Sequence, residues 1–290
     1  MNQIKIKKFA IQSTMVGSVS YGIGDTRIGG DGCIYKYMTI HSASLCFQDK
    51  NIMFQEPSMW QDKYEARFYN ADYSNLGNPE WVNNKVYACC FTKLSQNEAA
   101  WKVYASSKGN DDQKYCLQIR IRRTKLREML NQYAKNHDMQ LYEGLIDYKQ
   151  RHVIDHLHER QIIHKDGTIE DHGDYKYYFE NFSWGNYLRL LLIKRKAFQH
   201  EKEIRFFLVP NNHEGIENEK DKESHSIFPD IDWCNLIEDI YIDYNAPDYL
   251  VKYFKDSCAE NGIDADKIHQ FNIYGMTEDT PIVIDAPSTP

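Results

Sequence analysis

The stretch that decides the fold is Glu201-Lys-Glu-Ile-Arg-Phe-Phe-Leu-Val-Pro210. Its run from Glu203 to Val209 is rich in large apolar residues and is stopped by a proline, which predicts a strand of the main sheet. The leucine-rich stretch before it, from Tyr175 to Phe198, predicts a long helix that is broken at Gly185. The two glutamates therefore lie where a helix is followed by a strand, at the rim of a sheet where ligands bind.

Strand and helix patterns alternate along the rest of the chain. Val86–Thr92 is a near-continuous apolar run of strand length, and Ser95-Gln-Asn-Glu98 is a capping box that opens a helix. Residues 115–121 alternate with period 2, which predicts a half-buried strand, and an amphipathic helix follows at 126–133. The other predicted strands are 33–38, 52–55, 141–148, 237–242 and 268–273, and the other helices are 42–47 and 247–260. We predict an α+β fold in which helices flank a mixed or antiparallel central sheet.

The predicted elements form a single α+β domain over residues 33–275, because no internal repeat and no clear linker divides them. Six of the 15 glycines lie between Gly17 and Gly32 without an apolar pattern, so residues 1–32 are predicted to be a flexible Gly-rich arm. Residues 276–290 are predicted to be a tail.

Composition and charge limit the function classes. The chain has 290 residues, of which 42% are hydrophobic, and a formal net charge of -7. The acidic balance argues against broad nucleic-acid binding, which needs many lysines and arginines. The first residues lack the apolar core of a signal peptide and no apolar run is long enough to span a bilayer, so we expect a cytoplasmic protein without membrane contacts. The seven cysteines are scattered, and we expect them to be reduced.

Glu201 and Glu203 are the catalytic candidates. Two carboxylates in a cleft stabilise a cationic, oxocarbenium-like transition state or share a proton between them. The alternative is a solvated charge run at the start of a strand, balanced by Lys202 and Arg205. Other chemistry has less support, because no Gly-x-Ser-x-Gly or His-Glu-x-x-His motif occurs. The histidine-rich stretch 152–164 offers one half of a zinc site at most, so we predict no metal site.

Short motifs follow one another in a set order. They are Tyr35-Lys-Tyr37, Phe54-Gln-Glu-Pro57, the Trp60 to Glu65 segment, Cys90-Phe-Thr92, Trp101-Lys-Val-Tyr104 and the Lys196 to Arg205 element. Their order and spacing resemble the bacterial domain-of-unknown-function 2971 family over residues 33–275.

A second resemblance implies a mechanism. Three pieces of the chain carry it, namely Tyr35-Lys36-Tyr37 on the first strand, Phe91-Thr92 on a central strand and Glu201-Lys-Glu203 at the start of a later strand. They are similar to the three motifs of ADP-ribosyltransferases, which lie along a split β-sheet, although that family has Arg or His where this chain has Lys36. The resemblance implies NAD as substrate, with Glu203 stabilising the oxocarbenium ion as nicotinamide leaves and Glu201 assisting acceptor activation. It also implies a set of NAD-binding residues, which are Tyr35, Lys36, Tyr37, Thr92, Trp101 and Tyr104.

The leading hypothesis is therefore an NAD-using ADP-ribosyltransferase-like enzyme, either a transferase or an NAD glycohydrolase. By analogy with proteins of such folds it acts as a bacterial toxin or an antiviral defence effector. The alternative is a non-catalytic sensor or binding module of a defence system, which recognises a nucleotide, a peptide or a phage component. We also expect a macromolecular partner, either an acceptor or a regulatory protein. A nuclease is disfavoured, because no Asp is followed downstream by Glu-x-Lys on a strand.

Overall fold

The computed structural model describes residues 21–23, 32–77, 79, 82, 84–95, 98–104, 111–180, 182–211 and 225–271. Most of the predicted arm at 1–32 and all of the predicted tail at 276–290 lie outside these residues. Within the arm, Tyr21–Ile23 form a short strand where the sequence predicts none. Among the described residues, no helix has the length and apolar character that crossing a membrane requires.

The elements confirm the α+β prediction. The strands are β1 Tyr21–Ile23, β2 Cys33–Thr39, β3 Phe54–Gln55, β4 Tyr87–Thr92, β5 Cys116–Arg122, β6 Met139–Leu145, β7 Asp147–Lys149, β8 Gln161–Ile163, β9 Ile169–Asp171, β10 Ile193–Arg195, β11 Glu203–Pro210, β12 Ser226–Ile227, β13 Ile237–Asp243 and β14 Ile268–Phe271. The α-helices are α1 Ile40–Gln48, α2 Lys63–Ala66, α3 Glu98–Tyr104, α4 Asp111–Lys114, α5 Arg123–Asn136, α6 Arg151–His156, α7 Gly173–Tyr175, α8 Trp184–Leu190, α9 Trp233–Leu236 and α10 Asp248–Glu260.

The main sheet is mixed and mostly antiparallel, as the sequence predicts. Its strands follow the order β1-β6-β11-β4-β2-β5-β13-β14, and β3 joins it by pairing with β4 and with β12. The β1–β6 and β13–β14 pairs are parallel. The strands β11, β4 and β2, which carry the three predicted motifs, are therefore direct neighbours.

The strand β11 lies between two hydrophobic cores because its side chains alternate. Ile204 and Phe206 belong to the core that also contains residues of α1, α5 and α10, whereas Phe207 belongs to the core that contains residues of α6 and α8. Burial of each phenylalanine stabilises the fold by about 2 kcal/mol. The same alternation puts Glu203 and Arg205 on the face of Phe207.

The strands β2 and β4 pair at a single position in the described chain, where Tyr35 lies opposite Thr92. β2 pairs with β5 along its whole length, from Cys33 to Thr39, and β4 pairs with β11 over six positions. The sheet is therefore split between β2 and β4.

The long helix predicted over residues 175–198 is wrong after Leu190, and Gly185 does not break it, because Gly185 lies inside α8. The helix α8 ends at Leu190, and Ile193–Arg195 form β10, which pairs in parallel with β7. The backbone N–H of Asp147 donates to the carbonyl of Leu192 at 2.8 Å. Pairing with β7 gives the backbone groups of β10 the hydrogen-bond partners that a longer helix would have given them. A contact between distant segments therefore outweighs the helical propensity of this stretch. It also places Lys194 on a strand.

Candidate functional site

A cavity of about 390 Å³ opens at the split between β2 and β4. Its volume is in the range of small-molecule sites. Residues of the strands β2, β3, β4, β10 and β11 and of the helices α2 and α3 line it. Of the predicted site residues, those that line it are Tyr35, Lys36, Tyr37, Thr92, Tyr104, Glu201 and Glu203.

Glu203, the first residue of β11, belongs to a buried ion network. One carboxylate oxygen accepts a hydrogen bond from Arg205 Nε at 2.6 Å, and the other accepts one from Lys194 Nζ at 2.9 Å. Arg205 also donates to the Leu191 carbonyl at 2.7 Å and to the Glu65 carboxylate. Glu203 and Arg205 are only 5% and 1% exposed, so a solvated charge run does not describe them.

Lys194 joins three carboxylates. Its Nζ lies 2.9 Å from Glu203 Oε2 and 3.1 Å from Glu65 Oε1. It also lies 2.6 Å from Glu201 Oε2, which belongs to a partly exposed side chain. With Arg205 there are two cations and three carboxylates, which gives the network a formal charge of -1 (two minus three). Because this charge is poorly screened by solvent, this end of the cavity favours a cation.

The network separates the pKa values of the two predicted catalytic carboxylates. Burial raises the pKa of Glu203, but the positive charges of Arg205 and Lys194 outweigh burial and lower the pKa to about 2. Burial also raises the pKa of Glu201, and there the hydrogen bond and charge of Lys194 offset it only in part. Glu203 is therefore ionised at neutral pH, whereas Glu201 is the better proton acceptor.

A strained bend connects the two glutamates. Lys202 has a φ of 45°, in the left-handed region that non-glycine residues rarely adopt. Thr92 lies opposite Glu203 in the sheet and holds the bend, because its Oγ1 donates to the Glu201 carbonyl and accepts from the backbone N–H of Leu94 at 3.1 Å. The hydroxyl of Thr92 thus positions the glutamates, a role that the sequence does not predict.

Lys36 supplies a cation on the β2 side of the split. Its Nζ donates to the Cys90 carbonyl at 3.0 Å, lies 3.4 Å from Cys89 Sγ, and lies 5.0 Å from the centroid of the Phe91 ring. Within the described part of the chain, no carboxylate lies at ion-pair distance from this ammonium group. A partly buried cation with neutral partners attracts an anionic group.

Tyr37 and Tyr104 form an aromatic wall of the cavity. Their rings stack with centroids 6.0 Å apart, and the Tyr37 hydroxyl accepts a hydrogen bond from Gln118 Nε2. Trp101 packs edge-on against Tyr37 at 5.5 Å and is buried, outside the residues that line the cavity. Trp101 therefore supports the wall, and Tyr104 is the aromatic side chain that remains half-exposed for a ligand.

Three charged members of the network, Glu65, Lys194 and Arg205, are absent from the predicted site. Glu65 lies in α2, whose N-cap residue Asp62 accepts a backbone hydrogen bond and pairs with Arg195 of β10 at 2.8 Å. Lys194 lies in the stretch predicted to be helical. The sequence does carry one signal for Lys194, which directly follows the apolar run Leu190–Ile193. If that run is buried, the lysine is buried with it and needs a charged partner. No comparable signal brings Glu65 to the site.

No protein-family model matches the chain, and no curated protein or solved structure matches it significantly. What this protein does has to be inferred from the residues of the cavity and their geometry.

Proposed function

We propose that the protein is an NAD-using enzyme of the ADP-ribosyltransferase type, which transfers ADP-ribose to a macromolecule or hydrolyses NAD. One observation carries the proposal: Lys36, Thr92 and Glu203, one from each of the three motifs, come from adjacent strands and line one cavity. The split between β2 and β4 agrees with the split sheet that the resemblance implies. The proposal includes membership of the domain-of-unknown-function 2971 family and a cytoplasmic role as a toxin or antiviral defence effector.

The charges of the cavity suit the two ends of NAD. The nicotinamide ring is cationic, and the network around Glu203 carries an excess negative charge. The pyrophosphate is anionic, and Lys36 is the cation on the other side of the split. Tyr104 offers a half-exposed ring for stacking on a flat heterocycle.

In the proposed reaction the bond between the nicotinamide nitrogen and ribose C1′ breaks, and its electron pair leaves with nicotinamide. Positive charge then develops on the ribose. Glu203 stabilises this charge without reorganisation, because Arg205 and Lys194 hold it ionised and fixed. The acceptor or water bonds to C1′ and loses its proton to Glu201, whose raised pKa makes it the stronger base.

The occupied hydrogen-bonding positions of Glu203 favour a second candidate, a non-catalytic sensor or binding module for a nucleotide, a peptide or a phage component. Both carboxylate oxygens already accept hydrogen bonds from cations of the protein, as they do in ion networks that serve the fold alone. In this case the cavity binds its ligand without chemistry.

The deciding experiment measures nicotinamide release from NAD by the purified protein, with and without cell lysate. We expect Glu203→Gln to reduce release by about 100-fold or more, because glutamine keeps the shape of the side chain and removes its charge. The matched control is Glu143→Gln. Glu143 is also buried, and Arg123 and Arg127 hold it at 2.7 and 2.8 Å, but it does not line the cavity.

The control variant loses stability and retains release at temperatures where it is folded. An equal loss of release in both variants attributes the effect to weakened folding and argues against chemistry at Glu203. If nicotinamide is not released under any condition, the proposed enzymatic activity is refuted, whether or not NAD raises the melting temperature. A rise in melting temperature without release is the result expected of the binding module.

A further inference from the structure

Exposed apolar side chains surround the mouth of the cavity. Met53, Val103 and Tyr104 all line it, and they are 47%, 70% and 48% exposed. Met53 directly precedes β3, which pairs with β4, while the other two end α3, which packs against β2 through Trp101 and Tyr37. The apolar side chains therefore come from both sides of the split, and we call these three residues the rim.

The rim has the character of a protein interface. Methionine and aromatic residues are enriched at the centre of such interfaces, and exposed apolar groups beside a cleft mark a surface that a partner covers. A nucleic acid fits this surface poorly, because its phosphates would approach a network of charge -1 on a chain of net charge -7. Charge complementarity instead favours a basic group next to Glu201, whose side chain is 30% exposed.

We propose that the acceptor is a segment of a protein in which a basic side chain is flanked by an apolar one. The apolar neighbour packs on the rim, and the basic side chain enters the cavity beside Glu201. Its nitrogen bonds to ribose C1′ as the bond to nicotinamide breaks, the electron pair of that bond leaves with nicotinamide, and the proton of the nitrogen passes to Glu201. This inference rests on the proposed function and specifies its substrate class.

The test uses two synthetic peptides as acceptors, each with a central arginine, flanked by leucines in one and by serines in the other. Transfer of ADP-ribose to each peptide is followed by mass spectrometry, and nicotinamide release without peptide is followed in parallel. We expect the leucine-flanked peptide to be modified about tenfold faster, since partial burial of one leucine contributes about 1.4 kcal/mol. In the double variant Met53→Ser, Val103→Ser this preference disappears, when the rate for each peptide is divided by the release without peptide of the same variant.

The double variant Ile163→Ser, Ile169→Ser is the matched control. These isoleucines are 74% and 62% exposed on the β8–β9 hairpin and do not line the cavity, so their loss leaves the preference intact. Equal rates for the two peptides, or a preference that survives in the rim variant, overturn this inference while nicotinamide release continues. A wild-type protein that releases no nicotinamide contradicts the proposed function itself.

Discussion

Replacement of Arg205 by methionine tests the ion network most directly. The variant keeps an unbranched apolar stem, lacks the guanidinium group and therefore removes three hydrogen bonds, to Glu203, to Glu65 and to the Leu191 carbonyl. Arg205 is 1% exposed, so water cannot replace these bonds. Breaking a buried ion pair from one side costs about 3–5 kcal/mol, because the partner charge is left unpaired. Lys194 still neutralises part of that charge, and we expect a loss of about 4 kcal/mol at pH 7.

The sign of the pH dependence follows from the lowered pKa of Glu203. In the native protein this pKa is about 2, against 4.5 for the free group. Its contribution to stability, about 3 kcal/mol, is therefore fully present above pH 4.5 and is lost as the pH falls from 4.5 towards 2. Removal of Arg205 raises the pKa of Glu203, so Glu203 becomes protonated at a higher pH in the variant. Protonation removes the unpaired charge and restores part of the lost stability. The free energy of unfolding that the variant loses relative to the native protein is therefore smaller at pH 5 than at pH 7.

Urea unfolding at both pH values, followed by circular dichroism, measures the free energy of unfolding. Arg120→Met is the control, because Arg120 pairs with Asp239 at 2.8 Å where both side chains keep about a quarter of their surface exposed. That exposed pair contributes less than about 1 kcal/mol. A loss in Arg205→Met no larger than in Arg120→Met, or a deficit that grows towards pH 5, refutes the description of the network as a buried unit.

Two further predictions concern the proposed reaction. In the native protein the rate of transfer rises with pH through an apparent pKa above 4.5, because the Glu201 carboxylate must be deprotonated to accept a proton. In Glu201→Gln, transfer to an acceptor falls at least tenfold and no longer depends on pH. The pH profile of transfer measures this, and a profile unchanged in the variant contradicts the role of Glu201. In Lys36→Met, the Kd for NAD rises about tenfold, because a charge-assisted hydrogen bond contributes about 1.5–3 kcal/mol. The Kd for nicotinamide alone, which has no phosphate, stays the same. Calorimetric titration measures both constants, and equal weakening for both ligands contradicts an anion contact at Lys36.

Local patterns determined most of the strands and helices. The apolar run of β11 predicted a buried strand, and the alternation of apolar residues in β5 predicted a strand, although β5 is buried on both faces from Cys116 to Ile119 and not half-buried as predicted. The sequence also places α10 within one residue of its observed bounds. The three motifs Tyr35–Tyr37, Phe91–Thr92 and Glu201–Glu203 also named residues that line one cavity.

Tertiary structure alone decided the contents of the ion network. Glu65 and Arg205 are 140 positions apart, and no local pattern records that α2 is held against β10. The helical pattern around Lys194 yielded to a strand for the same reason, because pairing with β7 is a contact between distant segments. The ionisation of Glu203 and Glu201 depends on the burial and charges that these contacts create. Periodicity reports which side of an element is buried, whereas the identity of the group packed against that side is set by the free energy of the whole fold.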